Sequence, residues 1–210
     1  MVKQVRAART RQALVLAAAE VFADDGYALS SLPAITRRAG VSAGALHFHF
    51  PSKDALAVEV ERAGRESVER LVAASGPSSS SLLQLLVAAT RELLVAVATD
   101  AVVRAGFKLS VDPSRKNGSG FRDWWCAWVC DLLLRAQREG ELAEDVSPGG
   151  AAAVIVAATV GFEVLGAGDR DWLPPERIDQ FWALVLPRLT APGRKPAAVS
   201  RGLPDDGPSA

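Results

Sequence analysis

The sequence predicts an all-α protein in two parts, and three observations carry that expectation. Between Ser30 and Leu56, two short helical patterns are joined by Ala39-Gly40-Val41-Ser42. From Ser81 onward, apolar residues recur at three- and four-residue steps in almost every segment, the period of a helix with one buried face. Hydrophobic residues make up 49% of the 210 positions, ample for a packed core and too many for a disordered chain.

Val2 to Asp25 reads as the first helix, with Leu14, Ala18, Val21 and Phe22 on one stripe and Gly26 as its stop. Arg6, Arg9 and Arg11 sit at or before its start and read as a solvated extension. Ser31 is placed to cap the second helix, and Pro33 falls in its opening turn, where a missing N–H costs nothing. Leu32, Ile35, Thr36 and Ala39 give that helix its inward face. Gly40 stops it, and Ser42 caps the next from Ala43 to about His49, which is too short to stand alone and must dock. Helix, tight glycine turn, helix is the helix-turn-helix arrangement, whose second helix enters the DNA major groove.

Charge agrees with that reading. The whole chain is formally neutral, yet residues 1–53 hold seven Lys/Arg against three acids, so the rest is correspondingly acidic. A basic head on an acidic body suits one end that meets DNA and another that does not. The residues facing DNA should be the short polar ones at helix starts. Lys53, just after the cap Ser52, is placed to meet a phosphate beside helix-end N–H groups. Gly44 lets the backbone approach, and Ala43 offers only a methyl contact to thymine. His47 and His49 lie two residues apart, about 200° around a helix, and no third His exists, so no metal site is expected.

Residues 10–56 resemble the DNA-binding domain of the TetR family of repressors. The resemblance rests on Ala18-Ala19, Phe22, Gly26-Tyr27, Ser31-Leu32, Ile35, Ala39-Gly40-Val41-Ser42, Gly44-Ala45-Leu46, His49-Phe50 and Ser52-Lys53. His47 departs from it, since the family usually has Tyr there. The resemblance implies that Ser31, Ser42, Ala43, Gly44, His47, His49 and Lys53 face DNA. It also implies a mobile basic arm at Arg6, Arg9 and Arg11, the alternative to a solvated extension. A dimer on pseudo-palindromic double-stranded DNA is what this resemblance implies.

The body follows. Ser52 to Ala74 is a long helix with Leu56, Val60, Ala63, Ser67 and Leu71 on one side and Gly64 midway. Ser75 to Ser80 forms a loop, and helices are expected over Leu82–Ala98 and Ala101–Val111, with Asp100 as the cap between them. After the polar stretch 112–120, Phe121 to Glu139 is apolar on three sides and expected to be buried on all three. Trp125 is assigned to the core. Val103-Arg104-Ala105-Gly106, followed later by Phe121 and Trp124, resembles the γ-butyrolactone receptor subgroup, in which a Trp at that place lines the ligand pocket. The ligand set expected is therefore Trp124 and Trp128, with Thr159 as a polar handle on another helix and Gly64 leaving room. Cys126 and Cys130 read as buried small hydrophobes rather than a redox pair or nucleophile, so a cysteine enzyme is the remote alternative.

A helix from Gly149 to about Leu165 is rich in Ala and Gly. A last one opens at Pro174-Pro175 and is limited by Pro187. Their resemblance to the family's dimer-forming pair implies contacts through Ala158, Gly161, Phe181, Trp182 and Val185; packing within one chain is the alternative. The run Val146–Phe162 is uncharged but opens with Ser147-Pro148-Gly149-Gly150, leaving too few helical residues for the roughly 20 of a membrane span. No secretory signal is visible, and a cytoplasmic location is expected. Domains are placed at 1–53 for DNA, 54–190 for ligand and dimer, and 191–210 as a disordered tail. No cofactor is expected. The function implied is repression of antibiotic-biosynthesis or regulatory genes, relieved by a small apolar signal; a multidrug-type regulator of an exporter gene is the alternative.

Overall fold

The computed structural model describes residues 2–76, 79, 81–115, 120–168 and 175–193, and among these it forms helices and no strand. The helices are α1 (Val2–Leu29), α2 (Leu32–Ala39), α3 (Ala43–His49), α4 (Lys53–Ser75), α5 (Leu82–Thr99), α6 (Ala101–Val111), α7 (Gly120–Arg138), α8 (Pro148–Gly168) and α9 (Pro175–Leu189). The stretch assigned to a tail lies outside the described residues from 194 onward.

Caps set the boundaries. Ser31, Ser42, Ser52 and Ser81 each accept a hydrogen bond from the backbone N–H three residues on, satisfying one of the free donors of a helix start. Asp100 caps α6 by accepting from Val102 N–H at 2.8 Å. Helix α1 breaks at Gly26 (φ 75°) and winds one more turn to Leu29. Its first turns carry Arg6, Arg9 and Arg11 on regular helix, so the basic N-terminus is a helical extension and not a mobile arm.

Two apolar clusters form. One joins Leu14, Ala18, Phe22, Ile35, Leu46, Phe50, Leu56 and Val60 to Ala105 and Leu109 of α6. The other fills the body, from Val68 and Val72 through α5 and α7 to Trp182 and Leu186. Helix α4 serves both: Leu56, Ala57, Val60, Gly64, Val68 and Val72 are buried, so the expected stripe holds at Leu56 and Val60, while its Ala63, Ser67 and Leu71 are half-buried. The reason is Gly64. A Cβ there would lie 2.9 Å from the carbonyl oxygen of Val102, so the α6 backbone occupies the space that any side chain would need.

That contact overturns the assignment of Gly64 to a ligand pocket, because its open side is filled by α6. Three other expectations also fail. Cys126 is exposed and Cys130 half-buried, while Leu133 on the same strip is buried, so the third side of α7 is only partly covered within the protomer. Helix α8 starts at Pro148, which the rigid φ of proline permits at a helix opening. It is therefore long and apolar enough to cross a membrane by length and composition, as is α5. The length argument against a span fails, although α8 packs along α7 and buries Ala152, Ile155 and Thr159 there. Pro187 stands inside α9, which runs on to Leu189.

The segment between α7 and α8 is tied down by polar bonds. The buried Glu141 carboxylate accepts from the N–H groups of Leu82 (3.2 Å) and Leu83 (3.1 Å) at the start of α5. Ala143 N–H donates to Leu189 O and Ala191 N–H to Glu141 O, both at 2.8 Å. The ends of α7 and α9 and the beginning of α5 thus form one fixed edge of the body.

Candidate DNA interface and ligand-facing helices

The turn between α2 and α3 is built as the sequence requires. Gly40 takes φ 65°, a conformation costly for residues with a Cβ, which lets Gly40 N–H reach Arg37 O and Val41 N–H reach Thr36 O at 3.1 Å. Ile35 and Leu46 are fully buried and pin the two helices to α1. What α3 turns outward is then fixed. Ser42, Ala43, Gly44 and His47 are exposed, as is Ser31 at the start of α2, while His49 and Lys53 are half-buried. The outward face also contains Phe48, 81% exposed with its ring edge-on to His49 at 5.1 Å. Sequence reasoning passed over Phe48, although a signal existed. Leu46 and Phe50 lie two residues to either side, so if both are core, Phe48 must point away from it.

Lys53 is differently placed from the phosphate-facing position expected of it. Its Nζ donates to Tyr27 O at 2.7 Å and Ser30 O at 3.0 Å, and lies 4.3 Å from the centroid of the Tyr27 ring. Those carbonyls end α1, where a cation meets the negative end of the helix dipole. Burial lowers the lysine's pKa, with Asp112 opposing. The ammonium therefore holds the head together, with one N–H left for a phosphate. Other basic groups are engaged too: Arg11 reaches Glu59 at 2.6 Å and lies over the Phe50 ring, and Arg38 reaches Glu20 at 2.8 Å.

Behind the head lies a charged junction that the sequence did not reveal. The Arg115 side chain is fully buried; it donates to Leu109 O at 3.0 Å and pairs with Glu61 at 3.0 Å. Burial pushes the Glu61 carboxyl up, and Arg115 draws it back. Lys108 Nζ donates to Ala23 O at 2.7 Å, a polar tie from α6 to α1.

In the body, α7 and α8 meet through aromatic side chains. Trp125 is fully buried, and its Nε1 donates to Thr159 Oγ1 at 3.3 Å. Thr159 itself donates to Val156 O at 2.8 Å, so its hydroxyl is committed within the protein, with one lone pair to spare. Trp128 stacks on Trp125 at 5.2 Å and 13°, and Trp124 sits edge-on to Phe121 at 5.9 Å; both are half-buried. One turn beyond Thr159 lies Glu163, 4% exposed, its carboxyl pushed up by burial with Lys108 opposing. It was not singled out in the sequence, where a lone Glu in an apolar helix gives no direction.

On the outer side of α8 and α9, Val154, Val164 and Leu184 are 56%, 55% and 80% exposed. A groove of about 380 Å³ runs between the two helices, lined by Val146, Gly150, Val154, Leu184 and Val185. Ala158, Gly161, Phe181 and Val185 are only partly covered on this side of the fold. Trp182 is not available to a partner: it is fully buried in its own protomer's core, because Leu184 and not Trp182 faces outward on α9.

A capped three-helix head whose third helix turns its face outward, carried on a helical body, defines a helix-turn-helix DNA-binding regulator. Residues 14–60 match the family described as bacterial regulatory proteins, tetR family. The A-factor receptor protein of Streptomyces griseus is 31% identical over 194 residues, 92% of this chain and 68% of that one. The chain belongs to the TetR family. Its fold is also similar to the crystal structure of a γ-butyrolactone receptor, ArpA-like (27% identity, TM-score 0.71), with 88% of this chain and 90% of that one covered. The Streptomyces coelicolor TetR-family protein CprB, solved with its biological operator sequence, matches at 27% identity and TM-score 0.72, with the same coverage of both chains.

Proposed function

We propose that the chain is a homodimeric repressor that binds a pseudo-palindromic operator and leaves it on binding a small, mostly apolar signal. The observation that carries the reading is the outward face of α3, where Ser42, Ala43, Gly44, His47 and Phe48 lie exposed between two capped turns. Small residues bring the backbone close to a duplex, His47 supplies a donor, and Phe48 offers an apolar edge to a thymine methyl. Ser31 adds a phosphate donor beside the start of α2, and His49 and Lys53 support the helix from behind. Residues 1–53 read DNA, and residues 54–190 bind ligand and form the dimer through Ala158, Gly161, Phe181 and Val185, joined by Val154 and Leu184.

The ligand class rests on the relatives, an A-factor receptor and a γ-butyrolactone receptor, and on the aromatic side chains of α7. Trp124 and Trp128, half-buried beside a fully buried Trp125, give apolar area, while Thr159, with no exposure, acts behind them by accepting from Trp125 rather than as a handle for the ligand. A γ-butyrolactone or a related secondary metabolite suits those walls, and the genes controlled are those of antibiotic biosynthesis or its regulation. The protein acts in the cytoplasm, where the operator is, as a regulator rather than an enzyme. The ligand must prefer the state that cannot bind DNA, since only differential affinity drives release. Adding A-factor to the protein bound to a duplex from its own upstream region should quench tryptophan fluorescence and free the duplex. Trp124→Ala should abolish release and spare DNA binding; release at the wild-type concentration would refute the ligand assignment.

A further inference from the structure

Arg115 sits in a stretch, Asp112 to Gly120, whose composition reads as an ordinary polar loop. Its side chain nonetheless has no exposure at all. The guanidinium lies 3.0 Å from Glu61 Oε2 and 3.5 Å from Asp54 Oδ1, both on α4, and 5.4 Å from the Tyr27 ring at the end of α1. Asp112, three residues earlier, accepts from Tyr27 N–H. One short segment of the body thus grips the end of α1 and the first two turns of α4, the two elements that hold α2 and α3.

A buried ion pair is a poor device for stability, because the desolvation of both charges offsets their attraction; its better-attested use is to single out one arrangement. This pair is also incompletely satisfied. Glu61 Oε1 and Arg115 Nε are buried with no hydrogen-bond partner. Three residues along from Glu61, Gly64 presses against α6 backbone, so at that crossing the helices touch without a side chain. The neighbouring packing of Val60 with Ala105 and Leu109 is apolar and non-directional, and the ion pair adds a directional tie.

We propose that Arg115 is a positioning residue for operator binding: held on Glu61 and Asp54 of α4 and against Tyr27, it fixes the angle at which the body presents the recognition helix. This rests on the reading of the chain as an operator-binding repressor. Arg115 is buried behind the head and touches no phosphate. It acts by holding the DNA-competent orientation, and its removal leaves the contact surface itself intact.

The test joins two measurements. Nitroxide labels on Leu29→Cys in the head and Gln137→Cys in the body, in a Cys126→Ser/Cys130→Ser background, report the head–body distance by pulsed electron resonance. Anisotropy reports binding to a duplex from the protein's own upstream region. Arg115→Met should broaden the distance distribution and weaken binding at least tenfold, with the slope of log affinity against log salt unchanged because no phosphate contact is lost. Arg115→Lys should restore part of both. Glu61→Gln, which keeps the shape, should move both in the same direction and decides the matter if Arg115→Met fails to fold. An unchanged distance distribution in these variants overturns the proposal, whatever the affinity does. If the wild-type protein does not prefer its upstream duplex to a scrambled one, the repressor reading fails, while the label distances still decide the role of Arg115.

Discussion

Lys53 Nζ lies 2.7 Å from the carbonyl oxygen of Tyr27 and 4.3 Å from the centroid of that residue's ring. The first residue of α4 therefore closes the end of α1. Lys53→Met keeps the stem and removes the donor, leaving two carbonyls and a ring without their cation. The expected cost is about 1–3 kcal/mol of stability, since orphaning a polar group costs more than a hydrogen bond gains. Urea unfolding measures it. Operator binding should weaken in parallel; a variant with full stability and weaker, less salt-dependent binding would instead assign Lys53 to phosphate alone.

The crossing of α4 and α6 allows an asymmetric pair of alanine substitutions. A Cβ on Gly64 would lie 2.9 Å from Val102 O, whereas one on Gly106 would meet nothing nearer than 3.5 Å. Gly64→Ala should cost about 1–3 kcal/mol by overpacking and lower Tm by several degrees, and Gly106→Ala should be near neutral. Equal stability of Gly64→Ala and wild type in a thermal melt would return Gly64 to a roomy pocket.

The pH dependence of stability should carry the mark of Glu59. Its carboxyl is held down to about 2 from an ordinary value of 4.5, chiefly by its hydrogen bond from Arg62, with burial opposing and Arg11 adding. A carboxyl whose folded pKa is depressed stabilises the fold above its unfolded pKa and loses that contribution as pH falls towards the folded one. The window is pH 4.5 down to 2. Both arginines are more than 40% exposed, so screening limits the effect to about 1 kcal/mol. Glu59→Gln should flatten this part of a Tm–pH curve relative to wild type. An identical acid limb in the two proteins would remove Glu59 from the account.

On the outer face of the body, Leu184 and Trp182 stand two residues apart and should behave oppositely. Leu184→Glu puts a charge on a surface position, so it should leave the melting temperature of the isolated protomer unchanged and yield monomers in sedimentation. Trp182→Ala empties the core and should cost about 3–5 kcal/mol. A Leu184→Glu protein that remains dimeric would move the interface away from α8 and α9.

These residues show where the sequence was legible. The helix-turn-helix was readable because its determinants are local: Ser31, Gly40 and Ser42 each act on backbone within a few residues, and their caps form as the spacing implies. Helix number and order followed from periodicity for the same reason. The facing of long helices was less accessible. The choice between the Ser67–Leu71 and Val68–Val72 stripes of α4 depended on a neighbour, α6, whose approach leaves no mark except Gly64. Trp182 and Leu184 sit on one apolar helix, and only the packed fold decides which turns inward. Arg115 lay beyond reach altogether, because its carboxylate partners are more than 50 residues away in sequence.

The central claim is tested most directly by the affinity of the intact protein for a duplex from its own upstream region, measured by anisotropy beside a scrambled duplex at one stated salt concentration. The upstream duplex should be preferred by about 10³-fold or more, within the range of specific DNA-binding proteins. Phe48→Ala should reduce that preference by about tenfold, the worth of one good base contact, while leaving binding to the scrambled duplex as it was. Equal affinity of the wild-type protein for the two duplexes, or a Phe48→Ala protein with undiminished preference, would contradict that claim.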